Sequence, residues 1–218
     1  MVRRNLSAQQ AAAAERLLER ALPQARQASR RNVLRHALTL FNAHGIEATT
    51  IDDLRQACGH SVGTIYHHFK NKEGLVAALF FIALDDQSRV IAEHVAGLDD
   101  CQAAIEALIE CYSAWITAQP ECAQFVFLAR DAVGQGAHAA ELRRRLQARY
   151  QPIDDLLARD VAAGRLPPLP ADLVPALVLG ATEFYARGWL AGRRQAAPST
   201  YAKRFATAAW RSLAAAGS

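Results

Sequence analysis

An all-α fold is predicted by three features of this 218-residue chain. Apolar residues recur at three- and four-residue spacing along almost its whole length. No run alternates apolar and polar residues with the period of two that a half-buried strand requires. N-capping residues, glycines and prolines punctuate the periodic segments where helices should begin and end. The composition, 51% hydrophobic and 21% charged, suits a globular chain with a sizeable core. No apolar run approaches the roughly 20 residues that cross a bilayer, and no signal-peptide pattern follows the first arginines. A cytoplasmic protein without a membrane partner is expected. Cys58, Cys101, Cys111 and Cys122 lack a C-x-x-C spacing. They read as small apolar core residues in a reducing compartment rather than a disulfide frame or zinc site.

The elements follow in order. Residues 1–29 form an Ala-rich segment with Leu17, Leu18 and Leu22 on a weak apolar stripe, helical until Pro23 interrupts it. With Arg3, Arg4, Arg26, Arg30 and Arg31 around it, this basic extension reads either as a tail or surface helix or as an arm that adds contacts to phosphates. From Arg31 to His44, Val33, Ala37, Leu40 and Phe41 recur at helical spacing, and Gly45 ends the helix. Thr50, with Asp53 three residues on, has the form of a capping box for a short helix bearing Ile51, Leu54 and Ala57. Gly59 terminates it, and Ser61 caps another short helix with Ile65 and Phe69 facing inward. Asn71 then caps a long helix running to about Ala96, with Gly97 as its stop.

Beyond this point only helices are predicted. Asp99 with Gln102 forms a further capping pair ahead of Ile105, Leu108, Ile109, Tyr112 and Ile116. Pro120 opens the next helix, and Leu142 to Val161 mark a long one with a charged outer side. Gly164 to Pro170 is a break, after which Asp172 is placed to cap a helix with Pro175 in its first turn. A last helix spans roughly Ser199 to Ala216.

Two short helices joined by a Gly-containing turn, the second small, polar and aromatic on its outer face, suit insertion into a DNA major groove. Charge agrees with that reading. Residues 1–72 hold 11 Lys+Arg against 5 Asp+Glu, whereas residues 73–218 hold 14 against 16. One basic end on a nearly neutral body is the footprint of a chain that docks that end onto phosphates. Thr50, Ser61, Val62, Gly63, Thr64, Tyr66, His67, Lys70 and Lys72 are the candidate DNA-binding residues. No Gly-rich phosphate loop, H-E-x-x-H, G-x-S-x-G or carboxylate–histidine cluster is present. No catalytic residue, metal ligand or cofactor is therefore assigned, and the chain is not expected to be an enzyme.

The run Thr50-Ile51-x-x-Leu54, then Ala57-Cys58-Gly59-His60-Ser61, then Gly63-Thr64-Ile65-Tyr66-His67-His68-Phe69-Lys70-Asn71-Lys72-Glu73 resembles TetR-type, tetracycline-repressor-like, transcriptional regulators. The likeness covers about Arg31 to Ala78. Arg55 and Cys58 stand where the family commonly has small residues, and His60 where it has Val. The resemblance implies an N-terminal three-helix helix-turn-helix domain, here residues 30–76, behind the extension of residues 1–29. Residues 77–218 would then form a larger helical bundle for effector binding and dimerisation. It further implies a homodimer on a palindromic double-stranded DNA operator, acting as a repressor and released by a small-molecule effector. Tyr112, Trp115, Phe125, Phe127, Phe184, Tyr185 and Trp189 are candidates for the effector pocket. Gly180, Ala181, Phe184, Gly188, Ala206 and Trp210 are candidates for the dimer face, with an intramolecular core as the other reading of these helices. The rival function is a helical-bundle small-molecule binding protein or enzyme without DNA activity.

Overall fold

The computed structural model describes residues 8–215, and every regular element among them is helical. In chain order these are α1 (Ala8–Ala21), α2 (Ala28–His44), α3 (Ile51–Cys58), α4 (Val62–Phe69) and α5 (Lys72–Val95). They continue with α6 (Cys101–Ala118), α7 (Pro120–Gln135), α8 (Ala139–Ala162), α9 (Leu173–Leu190) and α10 (Ala202–Ala215). Short 3-10 turns at Ala25–Gln27 and Pro198–Tyr201 lead into α2 and α10. The chain falls into two compact units. One holds residues 8–86 with 118–143; the other holds residues 87–117 with 144–215.

In the first unit α2 is the central element and packs against α1, α3, α4 and α7. Its face of Val33, Leu34, Ala37, Leu38 and Phe41 is wholly buried. Phe41 stacks on Phe125 of α7 with ring centroids 5.7 Å apart. Polar contacts fix the same pair of helices. The Asn42 amide donates to the Glu121 carbonyl at 2.9 Å, and Gln124 donates to the Asn42 carbonyl at 3.3 Å. The Glu121 carboxylate, nearly buried, faces the Arg35 guanidinium at 3.1 Å. Burial pushes the Glu121 carboxyl above the ordinary range, and the Arg35 charge opposes it.

Over residues 8–21 the N-terminal segment is a packed helix rather than a loose tail. Its stripe of Ala13, Ala14, Leu17, Leu18 and Leu22 is buried, and α1 packs on α2 and α7. Arg31 fastens the link behind it by donating to the carbonyls of Leu22 and Gln24, and Arg20 pairs with Asp86 of α5 at 3.0 Å. Of the arginines read as a basic flank, Arg3 and Arg4 lie outside the described residues. The weak stripe is a core face because α7, about 100 residues away in sequence, covers it.

In the second unit α9 and α10 pack together, and Tyr112 of α6 donates from its hydroxyl to Glu183 of α9 at 3.0 Å. Tyr185 stands against Tyr201 and Phe205, and its hydroxyl donates to the Ala196 carbonyl at 3.0 Å. Two expected caps differ. Asp100, not Asp99, caps α6: its carboxylate accepts from the Ala103 amide at 2.7 Å, while the Asp99 carbonyl accepts from Arg159. Asp172 occupies the N-cap position of α9 with a helical backbone and makes no side-chain cap bond. An extended backbone at that position is what lets a cap carboxylate reach the first-turn amides. All four cysteines are free, and burial raises the Cys101 and Cys111 thiols to about 11 and Cys122 to about 12.

Leu18→Ala removes a fully buried side chain from α1. It should cost about 2–5 kcal/mol of stability, read by chemical denaturation. A mobile extension would lose almost nothing.

Candidate nucleic-acid interface

The helix-turn-helix is built by local chemistry that the sequence states directly. Thr50 has an extended backbone; its hydroxyl accepts from the Asp53 amide at 3.1 Å, and the Asp53 carboxylate accepts from the Thr50 amide at 2.8 Å. This is a complete capping box, and its hydrogen bonds hold the Asp53 carboxyl below the usual range. At the other end of α3 Gly59 adopts φ +71°, the left-handed conformation that ends a helix at no Cβ cost. Ser61 then caps α4, its hydroxyl accepting from the Thr64 amide at 3.1 Å and lying 3.0 Å from the Thr64 hydroxyl.

The two faces of α4 divide cleanly. Ile65 and Phe69, four residues apart, are buried. Val62, Gly63, Tyr66 and His67 are exposed, Val62 at 37% and Tyr66 at 44%. Thr64 is half-buried beside its cap. Arg55, the largest departure from the family pattern, runs along the surface of α3 and pairs with Asp52 at 2.7 Å, one turn back. His60 finds a role that Val would not supply: its Nε2 lies 3.4 Å from the Ser29 hydroxyl, and His68 Nε2 lies 3.3 Å from the same oxygen. Ser29 of α2 thereby ties the turn and the recognition helix to one point.

The exit from α4 is the feature that sequence reasoning missed. Lys70 has φ +64°, ψ −48°, and the Asn71 amide donates to the Phe69 carbonyl at 2.8 Å. This is a γ-turn of the rare kind centred on a positive-φ residue, and Lys70 is the sole non-glycine with positive φ among the described residues. Asn71 closes the reversal by accepting from the Gly74 amide at 2.7 Å. A Cβ at Gly74 would sit 2.2 Å from the Phe69 carbonyl oxygen, so only glycine lets α5 pass so near the end of α4. The sequence signal was present as Lys-Asn-Lys-Glu-Gly, but a lysine does not announce a left-handed backbone. Lys70 is exposed; Lys72 is half-buried and donates to the Glu47 carbonyl at 3.1 Å. Thr50, Ser61, Val62, Gly63, Tyr66, His67 and Lys70 are thus all solvent-facing.

Residues 33–79 match the tetR family of bacterial regulatory proteins. Over this domain the chain is similar to tetR-family regulators. The HTH-type transcriptional repressor KstR2 of Rhodococcus jostii (strain RHA1) is 40% identical over 80 residues, 37% of this chain and 39% of the repressor. The HTH-type transcriptional regulator AcrR of Shigella flexneri is 26% identical over 162 residues, 72% of this chain and 74% of AcrR. The chain spans about two fifths of the length of KstR2 and of the Escherichia coli (strain K12) regulator UidR. A tetR-family transcription regulator from Marinobacter aquaeolei VT8 superposes with a TM-score of 0.74 at 17% identity, covering 88% of this chain and 99% of that one. At that identity the likeness concerns the fold.

The seven aromatic candidates for an effector pocket are divided between the two units. Phe125 and Phe127 belong to the first unit, Phe125 in its core against Phe41. Tyr112, Trp115 and Trp189 are buried in the second unit, Tyr185 is half-buried there, and Phe184 is 71% exposed. The second unit instead holds a cavity of about 530 Å³ lined from α6, α8, the Leu166–Ala171 loop, α9 and α10, and none of the seven lines it. Of the dimer candidates, Ala181 and Phe184 are exposed and Gly180 and Trp210 half-buried. Gly188 and Ala206 are buried, and a Cβ at Gly188 would meet Arg194 at 2.5 Å. Among the described residues no group of three His, Cys, Asp or Glu side chains is placed to hold a metal, and no helix is long and apolar enough to cross a membrane.

The His68 imidazole is held below its ordinary 6.5, first by burial and then by the charges of His67, Arg30 and His60. The unfolded chain therefore binds that proton more readily. The stability His68 contributes is complete above pH 6.5 and is lost as pH falls through its folded value. Acidification below 6.5 should lower the melting midpoint, and His68→Gln should make that fall shallower in parallel thermal scans.

Proposed function

We propose that the chain is a DNA-binding transcription regulator of the repressor type, acting as a homodimer on a palindromic operator. The observation that carries this is α4: Ile65 and Phe69 pin the helix into the first unit, while Val62, Gly63, Tyr66 and His67 stand free on its outer face. Gly63 allows a phosphate backbone to come close, Tyr66 offers a hydroxyl, and His67 offers a ring nitrogen to a phosphate or base edge. Thr50 and Ser61 cap two helix N-termini whose free amides favour phosphate. Lys70 and Lys72 add positive charge beside them, Lys72 with two of its donors left after the bond to Glu47. The names of KstR2, AcrR and the other curated relatives, all HTH-type regulators or repressors, support the same reading.

The dimer face is assigned to α9. Leu173, Leu177, Gly180, Ala181 and Phe184 recur at helical spacing, all exposed or half-buried. The Phe184 ring is left 71% in solvent, with the Arg194 guanidinium 5.4 Å from its centre. An apolar stripe of this kind on a soluble helix marks a surface meant for another chain. A twofold axis through it would carry two α4 helices to sites about 34–36 Å apart, one turn of DNA. The effector site is the cavity of the second unit. An occupant that binds one conformation of the dimer more tightly than another shifts the population away from the one that fits DNA. α5, one unbroken helix from Lys72 to Val95, is the element through which that preference reaches the reading head.

Lys70→Gly removes a phosphate contact and relieves a positive-φ lysine in one step. It should raise fold stability by about 1 kcal/mol. It should also weaken DNA binding on all sequences alike and reduce the salt slope by about 1. Gel shifts across a salt series with the chain's own upstream region test this, and an unchanged slope would remove Lys70 from the interface. Phe184→Arg should convert a dimer to a monomer by light scattering and abolish the operator shift. Retained dimers would move the interface elsewhere.

A further inference from the structure

We infer that the cavity of the second unit is built for an apolar molecule carrying one protonated amine, seated with its nitrogen against Asp154. This rests on the regulator reading only in calling that molecule the effector. The walls are hydrocarbon, with Leu108 of α6, Ile153 and Leu157 of α8, Val178 of α9 and Leu213 of α10 among them. At about 530 Å³ the space lies within the range of about 300–1,000 Å³ that small-molecule sites occupy. Asp154, an exposed residue, is the sole charged one in the lining, and Tyr150 is the other with a polar group. No Lys, Arg or His lines it. Arg149 lies over the Tyr150 ring at 5.2 Å and is engaged by Gln87, outside the lining.

That arrangement discriminates by charge. A carboxylate, sulfate or phosphate head drawn into these walls would lose its water and meet no cation, only Asp154 and, one residue on, Asp155. An ammonium would meet an opposite charge beside apolar walls; Asp154 is itself exposed, so the attraction is that of a charge pair near a protein surface, stronger than in bulk water. Partial burial and the neighbouring Asp155 raise the Asp154 carboxyl above its ordinary range. Asp155 is itself engaged, accepting from Gln151 at 2.8 Å, which leaves Asp154 as the group that meets the ligand. A neutral hydroxyl would bond to Asp154 without that Coulomb gain.

Dodecylamine, dodecanol and dodecanoate share a tail and differ only in the head, so they separate these cases. Titration calorimetry on the full chain, below micellar concentrations and near neutral pH, should give dodecylamine at least about tenfold tighter binding than dodecanoate, with dodecanol between them. Asp154→Asn should weaken dodecylamine about tenfold and leave dodecanol unchanged. Ala158→Trp, which fills the space from α8, should abolish binding of all three. Dodecanoate binding as tightly as the amine, an amine affinity indifferent to Asp154→Asn, or no heat from any probe would each overturn the inference. Gel shifts on the same preparations keep the two readings apart. A protein that shifts DNA yet prefers dodecanoate retains its regulator role and loses this pocket chemistry. One that prefers the amine and binds no DNA does the reverse.

Discussion

The reversal at Phe69, Lys70 and Asn71 is the constraint on which the presentation of α4 depends. Three bonds and one missing Cβ define it: Asn71 amide to Phe69 carbonyl, Lys70 amide to Tyr66 carbonyl, Gly74 amide to the Asn71 side chain, and the bare Cα of Gly74 against the Phe69 oxygen. A γ-turn of this hand costs energy at a lysine. It persists because Phe69 on one side and Leu75 on the other are both buried. The result is that a short helix, too short to be stable alone, has both ends fixed. Its outward residues are then held ready rather than ordered at the moment of contact.

The rest of the first unit supports that helix from behind. α2 carries α3 and α4 on its flanks and is itself clamped by α1 and α7. The clamp combines a ring stack, a buried amide and an ion pair, each on the same two helices α2 and α7. Ser29, at the start of α2, touches both His60 and His68. His60, which departs from the family pattern, and His68, which matches it, thereby meet at a single hydroxyl. Arg55 is accommodated more simply, through an exposed pair with Asp52 that is worth little to stability.

Chemistry in the second unit is divided between an outer and an inner surface. Outside, α9 shows Phe184 and its small neighbours. Inside, its Val178 and Leu179 close a cavity whose charge is a single carboxylate. One helix thus serves both surfaces, with residues four apart facing the same way and residues two apart facing differently. The Pro167-Pro168-Leu169 segment, read from sequence as a plain break, is part of the cavity wall. Pro152 inside α8 removes one helical hydrogen bond close to Ile153 and Asp154.

The fold class, the capping box at Thr50, the stop at Gly59, the cap at Ser61 and the inward pair Ile65 and Phe69 were legible in the sequence. Each depends on residues within four positions of one another, and hydrogen-bonding reach over that span is the same in any helix-turn-helix. Placement over longer distances was not legible. Whether the stripe on α1 is a core face depends on α7; whether Phe125 faces a ligand or Phe41 depends on α2; and whether the exposed Asp154 borders a cavity depends on four other segments. A periodic pattern states that a face is apolar, not what covers it. The sequence by itself determined the helix-turn-helix and the helical class, because those are local. Tertiary structure alone decided the twist at Lys70, the partition of the aromatics and the charge of the cavity, because those arise where distant segments meet.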